Sequence, residues 1–482
     1  MDARSTVLRE CRFIDLTVVM LCMVLPVIWA SNASACGTSS PTKTFSTSLQ
    51  VSPDSKRDVE NRPVPPTSEP QVRIRLRSKD LKSSVTFGET GQQLLCFHEA
   101  DSRIYLRSAP LEITHVNAGW RLLDGKRKTT QLLGSGILSI RTLVGSDSRI
   151  FFEERRLPGF VDLVPLTSSG DSTMDERLDV IVYVSLESYL PGVLDVELYG
   201  HWPLETFQAQ AIAARSYALA ESAFWATRRH FDLIAGPESQ GWSGDGGSDK
   251  ARKAVQRTAG MVLVHEGRVI PAYYSAACGG VPASADDAIS SRESHRISPL
   301  VPMDSRPVGC CEASSVREWQ AEFKRDDLDR ALRIWQQSDR TADATSRSNL
   351  RGSFDAMTVL ERSPTGRPLV YGLVTSRGES LRIGSESFRR LLSKLPRIEK
   401  GTASSLRSSV FKGEFRGTRF LIKGLGWGHG CGLCQYGANA MGKDGATWRT
   451  ILERYYPGSE IQAAWEVEDG PGSQSERPTM GE

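Results

Sequence analysis

The sequence predicts a mixed α+β fold, and three features carry the prediction. Residues 72–165 alternate short apolar runs with turn-forming residues, which is the pattern of half-buried strands. Eight alanines from Ala209 to Ala226 favour a long helix after Pro203. With 482 residues, of which 39% are hydrophobic and 24% charged, the chain is long enough for more than one folded unit.

The charge balance argues against one class of partner. The chain has 60 basic and 57 acidic residues, which gives a net charge of +3. A nucleic-acid-binding protein needs a basic surface that displaces the counterions of the phosphates. We therefore expect no nucleic acid among the partners.

The first 35 residues are typical of a secretory signal peptide. Arg4, Arg9 and Arg12 precede an apolar run over residues 16–30, and small residues follow in SNASAC. The run is shorter than the roughly 20 apolar residues of a membrane-spanning helix. We expect export to the periplasm or cell envelope, either with cleavage after Ala35 or with a lipid on Cys36.

Composition divides the rest of the chain into segments. Residues 36–70 are rich in Ser, Thr and Pro and are predicted to be a flexible linker, and the tail at 461–482 is predicted to be flexible as well. Residues 71–170 are the β-rich N-terminal unit, with strands predicted at VRIRLR, SVTFG, RIYLR, GILSIRTLV and FVDLVPL. We place a second folded unit at 175–460.

The most informative stretch is residues 186–219, LESYLPGVLDVELYGHWPLETFQAQAIAARSYAL. A strand predicted at 178–186 leads into it. Pro191 is predicted to start a short helix, because the backbone N–H that proline lacks would have no partner in the first turn of a helix. Gly200 is predicted to end that helix. Pro203 then starts the alanine-rich helix.

Four carboxylates lie in this stretch, and the predicted helices separate their roles. Glu205 falls in the first turn of the alanine-rich helix, where a carboxylate stabilises the positive end of the dipole; catalysis is the alternative. Glu197 ends the short helix beside the aromatic side chains of residues 199–202, which would desolvate its carboxyl group and raise its pKa. Such a group is a candidate general acid, and a solvated acid at a helix end is the alternative. Asp195 is two residues from Glu197 and so faces nearly the opposite side of the helix, where it cannot easily act as its partner.

Four blocks of sequence occur in a recognisable order. They are YLPGVLDVELYGHWPLETFQAQAIAARSYAL, SQGWSG at 239–244, YSAACGG at 274–280 and GLGWGHGCGLCQYGANAM at 424–441. Together they resemble the stage II sporulation protein D family, which also contains the LytB amidase enhancers. The resemblance extends over residues 178–458. The family name by itself does not imply sporulation for this protein.

The resemblance implies an α+β catalytic core with the alanine-rich helix beside a cleft. It also implies a lytic transglycosylase that cleaves peptidoglycan glycan strands stripped of their peptides. Glu197 stands at the GV-x-x-E position of the family's catalytic glutamate. One carboxyl group suffices for this reaction, because it protonates the leaving oxygen and then takes the proton of the muramic acid C6 hydroxyl, which attacks in place of water. The product has a 1,6-anhydro end.

Other matched positions imply contacts with substrate. Gln240 and Trp242 lie in SQGWSG, where an amide can hold sugar hydroxyls and an indole can stack on a pyranose ring; packing of the loop is the alternative. Tyr274 lies in YSAACGG. This sequence departs from the family at residues 275–278, SAAC, where relatives have a His and hydroxyl side chains.

The block at 424–441 contains alternating glycines, which allow positive φ and a close approach to a ligand. His429 lies among them. We expect it to line the cleft and bond to substrate or Glu197, and the alternative is that it ties the loop to neighbouring backbone. Gln435 is expected to contact substrate at the start of a helix that runs through Met441.

Beyond Cys36, six cysteines leave the metal content open: Cys96, Cys278, Cys310, Cys311, Cys431 and Cys434. Export favours disulfides. The alternative is a structural zinc ion held by four thiolates drawn from these cysteines other than Cys96. Some family members are said to hold zinc through a His and two Cys that precede the SQ block. His230 lies in that segment without a cysteine, so that site is not expected here, and no catalytic cofactor is predicted.

Two other functions stay open. A non-enzymatic enhancer that resembles LytB would bind peptidoglycan or an N-acetylmuramoyl-L-alanine amidase through the same cleft, and the altered SAAC segment favours it. A hydrolase that adds water would need a second carboxylate in the cleft, such as Asp245 or Asp286.

Overall fold

The part of the chain that the computed structural model describes contains Glu197 and two residues that bond to its carboxyl group. It consists of residues 62–80, 82–116, 119–143, 149–153, 155–158, 160–166, 177–244, 246–288, 314, 316–338, 351–398 and 406–465. These residues belong to one compact unit. The predicted signal segment, residues 36–61 of the predicted linker and the tail from residue 466 lie outside them. Residues 62–70 of that linker are bonded to the fold through the carbonyls of Pro63 and Pro70.

The helices of this part are short except for one. They are α1 (Leu186–Glu197), α2 (Leu204–Trp225), α3 (Asp249–Arg257), α4 (Ala285–Ala288), α5 (Arg325–Ser338), α6 (Ser385–Leu392), α7 (Gln435–Lys443) and α8 (Trp448–Tyr455). None of these helices combines the length and the apolar character needed to cross a membrane.

Strands make up the larger share of the structure. They are β1 (Gln71–Asp80), β2 (Val85–Phe87), β3 (Gln93–His98), β4 (Arg103–Ser108), β5 (Leu111–Val116), β6 (Gly119–Leu123), β7 (Thr129–Leu133), β8 (Leu138–Thr142), β9 (Ile150–Phe152), β10 (Arg155–Leu157), β11 (Phe160–Leu166), β12 (Arg177–Ser185), β13 (Leu233–Ile234), β14 (Met261–His265), β15 (Arg268–Val269), β16 (Tyr274–Ser275), β17 (Glu318–Lys324), β18 (Phe354–Arg362), β19 (Pro368–Thr375), β20 (Ser380–Gly384), β21 (Phe411–Arg416), β22 (Arg419–Leu425), β23 (Leu433–Cys434) and β24 (Glu460–Ala463). The mixed α+β class is confirmed.

Two sheets form the β-rich part. The larger has the order β13-β1-β12-β11-β8-β3-β4, and the smaller has the order β10-β9-β2-β5-β6-β7. Their inward side chains, among them Ile74, Trp120 and Val180, share one buried core. Strands are confirmed at the five predicted runs, as β1, β2, β4, β8 and β11. Because β1 and β11 both pair with β12, the larger sheet unites strands from before and after residue 175.

Helix α2 lies at the centre of the fold and confirms the predicted alanine-rich helix. Pro203 immediately precedes it, and every side chain from Thr206 to Glu221 is buried. Ala211 lies in the core of the two sheets, whereas Ala213 lies in a second core with α7 and α8. The small alanine side chain lets elements approach the helix from both sides, so α2 is buried all round.

A third core lies under the segment that leads to the glycine-rich loop. It contains the sheets β17-β22-β21 and β18-β19-β20 with α5 and α6, around Phe323, Phe388 and Phe420. β22 ends directly before the loop at 426–432, and β23 follows that loop and pairs in parallel with β16. Strands therefore hold the loop at both ends.

The start of the short helix differs from the prediction. Pro191 was expected to be its first residue, but α1 begins at Leu186 and Pro191 lies inside it. A proline in a helix interior lacks the backbone donor and normally costs about 3 kcal/mol. The buried side chains of Tyr189 and Val193 offset this loss, since they anchor the helix on both sides of the proline. The helix ends at Glu197, before the glycine that was expected to end it.

Candidate active site

Two neutral amides hold the carboxyl group of Glu197, the last residue of α1. The backbone N–H of Gly241 donates to Oε1 at 2.9 Å, and the side-chain amide of Gln435 donates to Oε2 at 3.1 Å. Gly241 lies on the loop between β13 and α3, and Gln435 is the first residue of α7. Three segments that are distant in sequence thus meet at this carboxyl group.

The surroundings of Glu197 favour its protonated form. Burial raises the pKa of Glu197 above its ordinary value of 4.5, and the hydrogen bonds from Gly241 and Gln435 act in the opposite direction. Burial also raises the pKa of Tyr189 and of Tyr274, and the negative charge of Glu197 adds to both effects. The electrostatic neighbours of the carboxyl group therefore include Tyr189 and Tyr274. An effect of the aromatic residues at 199–202 on this pKa stays a prediction.

The first carboxylate of the stretch, Glu187, has a structural partner. Its two oxygens accept hydrogen bonds from the guanidinium of Arg215 at 2.9 and 2.7 Å. Arg215 is 0% exposed and also donates to the carbonyl of Met261 at 3.0 Å, while the N–H of Gly260 donates to Glu187. This pair joins α1, α2 and the start of β14.

Asp195 and Glu205 are also held by structural contacts. The Asp195 carboxylate accepts hydrogen bonds from the backbone N–H and the hydroxyl of Ser248, which precedes α3. Glu205 accepts the backbone N–H of Trp448 at 2.7 Å and so stabilises the start of α8. These contacts account for three of the four carboxylates and leave Glu197 as the candidate for chemistry.

The structure places Gln240 and Trp242 next to Gly241, with both side chains buried. The Gln240 amide donates to the carbonyl of Ala214 at 3.2 Å and accepts the hydroxyl of Tyr189 at 3.1 Å. The Trp242 ring lies 5.5 Å from that of Tyr189, centroid to centroid. These contacts fix the loop that presents the Gly241 N–H. Direct contact of either side chain with substrate stays a prediction.

Parallel pairing of β16 with β23 brings Tyr274 and Gln435 to the same place. The register sets Tyr274 opposite Leu433, and α7 begins immediately after β23. This turn into the helix positions the Gln435 amide at Glu197. The predicted helix start is confirmed, and α7 continues to Lys443.

His429 is bonded within the glycine-rich loop. Its Nδ1 accepts the backbone N–H of Cys431 at 3.1 Å, and its ring lies edge-on to Tyr273 with centroids 6.1 Å apart. Burial, with a smaller contribution from the positive charge of Arg367, lowers the pKa of His429 to about 4. These contacts agree with a neutral imidazole that ties the loop to backbone. Contact of His429 with substrate stays a prediction.

The sequence analysis did not predict three residues that contribute to the site: Gly241, Tyr189 and Arg367. Gly241 could have been found from its position inside the block SQGWSG. Arg367 is buried and donates to the carbonyl of Val281 at 3.2 Å and to that of Gly428 at 3.5 Å, so it joins the loops that follow β16 and β22. A single arginine or tyrosine has no local pattern that would have indicated these contacts.

The cysteines near the site are buried. The backbone N–H of Cys278 donates to Sγ of Cys434 at 3.4 Å, and Cys431 and Cys96 are buried as well. The cysteines at 310–311 lie outside the described residues. Within the described ranges, His, Cys, Asp and Glu side chains form no group of three or more that could hold a metal ion. Disulfides and structural zinc both stay predictions.

Fold and site together define a class: a mixed α+β protein with a half-buried glutamate at a helix end, held by neutral amides from two other segments. Residues 174–265, which include Glu197 and Gly241, match the family model described as stage II sporulation protein. This segment is therefore similar to that family, and the longer matches below include both a stage II sporulation protein D and an amidase enhancer.

Three relatives illustrate the extent of the similarity. An uncharacterised protein of Brachyspira hyodysenteriae is 28% identical over 295 residues, which cover 60% of this chain and 69% of the relative. The amidase enhancer of Bacillus subtilis is 27% identical over 301 residues, which cover 56% of this chain and 40% of the enhancer. Stage II sporulation protein D of Bacillus amyloliquefaciens is 23% identical over 300 residues, which cover 58% of this chain and 75% of that protein. The chain thus spans less than half the length of the amidase enhancer.

Proposed function

We propose that this protein is a lytic transglycosylase that cleaves peptide-stripped peptidoglycan glycan strands in the cell envelope. The setting of Glu197 carries the proposal, because a half-buried carboxyl group with a raised pKa retains the proton that a general acid must give. The names of two relatives, stage II sporulation protein D and amidase enhancer, support a role in the cell wall. The signal segment predicted at residues 1–35 supports action outside the cytoplasm.

The proposed reaction uses Glu197 twice. Its carboxyl group first gives a proton to the glycosidic oxygen, and the bond from the muramic acid anomeric carbon to that oxygen breaks. The carboxylate then takes the proton of the C6 hydroxyl of the same muramic acid, whose oxygen bonds to the anomeric carbon. Glu197 ends protonated, and the product ends in a 1,6-anhydro ring without the addition of water.

The two amides suit this cycle. Burial favours the acid that the first step requires, and the hydrogen bonds from Gly241 and Gln435 favour the carboxylate that the second step requires. Both donors are neutral, so they stabilise the carboxylate without a positive charge beside it. A positive charge would lower the pKa of Glu197 and favour loss of the proton that the first step needs. Activity is expected to fall as the pH rises through the raised pKa of Glu197.

A second candidate is a non-enzymatic enhancer that binds peptidoglycan or a cell-wall amidase. The segment SAAC at 275–278 favours it, because Ser275 uses its hydroxyl to accept the N–H of Gly430 at 3.2 Å and Ala277 and Cys278 are buried. A relative named amidase enhancer supports it too.

The deciding experiment is mass spectrometry of products from peptide-free glycan strands. The purified protein should release fragments with 1,6-anhydro ends. Glu197→Gln should reduce the rate by about 100-fold or more, because the amide cannot give or take the proton. Glu205→Gln is the matched control, since that carboxylate caps α8, and it should keep the parent rate.

Each other outcome has a meaning. Fragments with ordinary reducing ends would replace the transglycosylase with a hydrolase and direct attention to Asp245 and Asp286, whose side chains lie outside the described residues. A folded parent that binds cell wall without cutting it would favour the enhancer.

A further inference from the structure

Beside Glu197 lies a group of side chains that the proposed reaction does not use. We call it the aromatic–arginine band, and it consists of Tyr199, Arg407, Trp427 and Tyr436. Tyr199 is 50% exposed and Trp427 is 40% exposed. Apolar side chains with this much exposure offer ring faces to a ligand.

The members of the band form two contacting pairs. The guanidinium carbon of Arg407 lies 5.0 Å from the centre of the Trp427 ring. The rings of Tyr436 and Tyr199 have centroids 6.2 Å apart. Burial and a hydrogen bond with Tyr199 together raise the pKa of Tyr436 to about 12, and the positive charge of Arg407 acts in the opposite direction. The charge of Arg407 therefore links the two pairs.

The band borders the candidate active site. Tyr199 follows Glu197 by two residues, just past the end of α1. Tyr436 follows Gln435, whose amide is bonded to the Glu197 carboxyl group. A sugar chain that placed a glycosidic oxygen at Glu197 would therefore pass near Tyr199 and Tyr436, at one side of the band.

Arg407 has no counter-ion among the described residues. No described carboxylate lies within ion-pair distance of its guanidinium, in contrast to Arg73 and Arg215, which are both paired. Its backbone is fixed, because its carbonyl accepts the N–H of Gly428. A half-buried guanidinium without a carboxylate, next to exposed rings, suits a ligand that has both a ring face and a negative charge.

We propose that the aromatic–arginine band is a muramic acid subsite in which Arg407 pairs with the free lactyl carboxylate. Trp427 and Tyr199 stack on the adjoining sugar rings. This inference rests on the proposed function and adds the residue that selects the substrate. In an intact strand the peptide blocks the lactyl carboxylate as an amide, so Arg407 distinguishes stripped strands from intact ones.

The test compares two forms of the same glycan. Peptide-free strands keep their lactyl carboxylates in one sample, and in the other sample these groups are converted to methylamides. Affinity and kcat/KM are measured for the parent, Arg407→Gln and Arg407→Lys. The matched control is Arg390→Gln, which removes an exposed positive charge from α6.

The parent should bind the carboxylate form about tenfold more tightly than the methylamide form, as expected for a hydrogen bond to a charged group. Arg407→Gln should bind both forms equally, Arg407→Lys should keep part of the preference, and Arg390→Gln should match the parent. A parent without preference, or an Arg407→Gln variant that keeps it, would overturn the subsite. The parent comparison needs no variant, so it decides even if Arg407→Gln unfolds.

The two proposals fail in different ways. Cleavage without a carboxylate preference would contradict the proposed subsite and support the transglycosylase. A preference in binding without any cleavage would contradict the transglycosylase and support the subsite as part of an enhancer. Absence of both binding and cleavage overturns both proposals.

Discussion

Glu197 is subject to two opposing influences. Burial favours the neutral acid, and the donors Gly241 and Gln435 favour the carboxylate. Because burial is the larger influence, the pKa is raised. The folded protein therefore holds a proton on Glu197 at pH values where the unfolded chain has lost it, and this difference links the site to stability.

The first prediction concerns the pH dependence of stability. The parent should lose unfolding free energy as the pH rises from the unfolded-state pKa of 4.5 to the raised folded-state pKa of Glu197. Glu197→Gln does not titrate, so the difference in unfolding free energy, variant minus parent, should increase across this window and stay level on either side. The increase is about 1.4 kcal/mol for each pH unit between the two pKa values.

Chemical denaturation at a series of pH values measures this difference. Glu453→Gln, at an exposed position of α8, is the matched control and should track the parent. A difference that stays flat or decreases with pH would show that Glu197 does not have a raised pKa.

The loop between β13 and α3 presents the Gly241 N–H, and it packs tightly against α1. A Cβ atom added at Gly241 would lie 2.4 Å from Cγ1 of Val196 and 3.1 Å from Oε1 of Glu197. The loop is also tied to α1 through Ser243, whose N–H donates to the carbonyl of Gly192 at 3.3 Å. Glycine at this position is required because the backbone itself must approach the carboxyl group.

The second prediction follows from this packing. Gly241→Ala should push the loop away from α1, lengthen the bond to Glu197 and lower kcat/KM at least tenfold, with a stability loss of about 1–3 kcal/mol. Gly200→Ala is the matched control, since a Cβ atom there meets no atom within 4 Å. Rates and unfolding midpoints of both variants give the comparison. Equal effects of the two substitutions would mean that the close approach at Gly241 has no functional role.

Helix α2 joins two of the buried cores, and Arg215 lies at that junction. Its guanidinium has no exposure and is bonded to Glu187 on α1 and to the carbonyl of Met261. The pair places a charge on a helix whose side chains from Thr206 to Glu221 are all buried. Such a charge is tolerated only with its partner in place.

The third prediction tests this dependence. Glu187→Leu should destabilise the protein by about 3–5 kcal/mol, because it leaves the buried guanidinium without a counter-ion. The double variant with Arg215→Met should be more stable than Glu187→Leu alone. Denaturation of the parent, both single variants and the double variant gives a double-mutant cycle. If the changes in unfolding free energy of the single variants simply added up in the double variant, the two residues would not be a coupled buried pair.

Much of the fold was predictable where local pattern and burial coincide. The strands β1, β4 and β11 and the helix α2 have apolar residues at the spacing of one buried face or a run of strong helix formers. The helix start at Gln435 was predictable from its block. The start of α1 was not, because Pro191 is a strong local signal that burial of Tyr189 and Val193 outweighs.

The chain alone was enough to predict where the candidate active site lies. It predicted the α+β class, the position of Glu197 at the end of a helix and the family resemblance, because each of these rests on residues that are close together in the chain. It also indicated a raised pKa, although it placed aromatic neighbours only at 199–202.

The role of each carboxylate depends on hydrogen-bond partners that come near it only in the folded protein. Glu187, Asp195 and Glu205 look alike in sequence, and their partners Arg215, Ser248 and Trp448 come from other elements. The donors to Glu197 likewise come from two distant segments. Hydrogen bonding and desolvation depend on distances of a few ångströms in space, and positions along one chain do not fix such distances until the whole fold has formed.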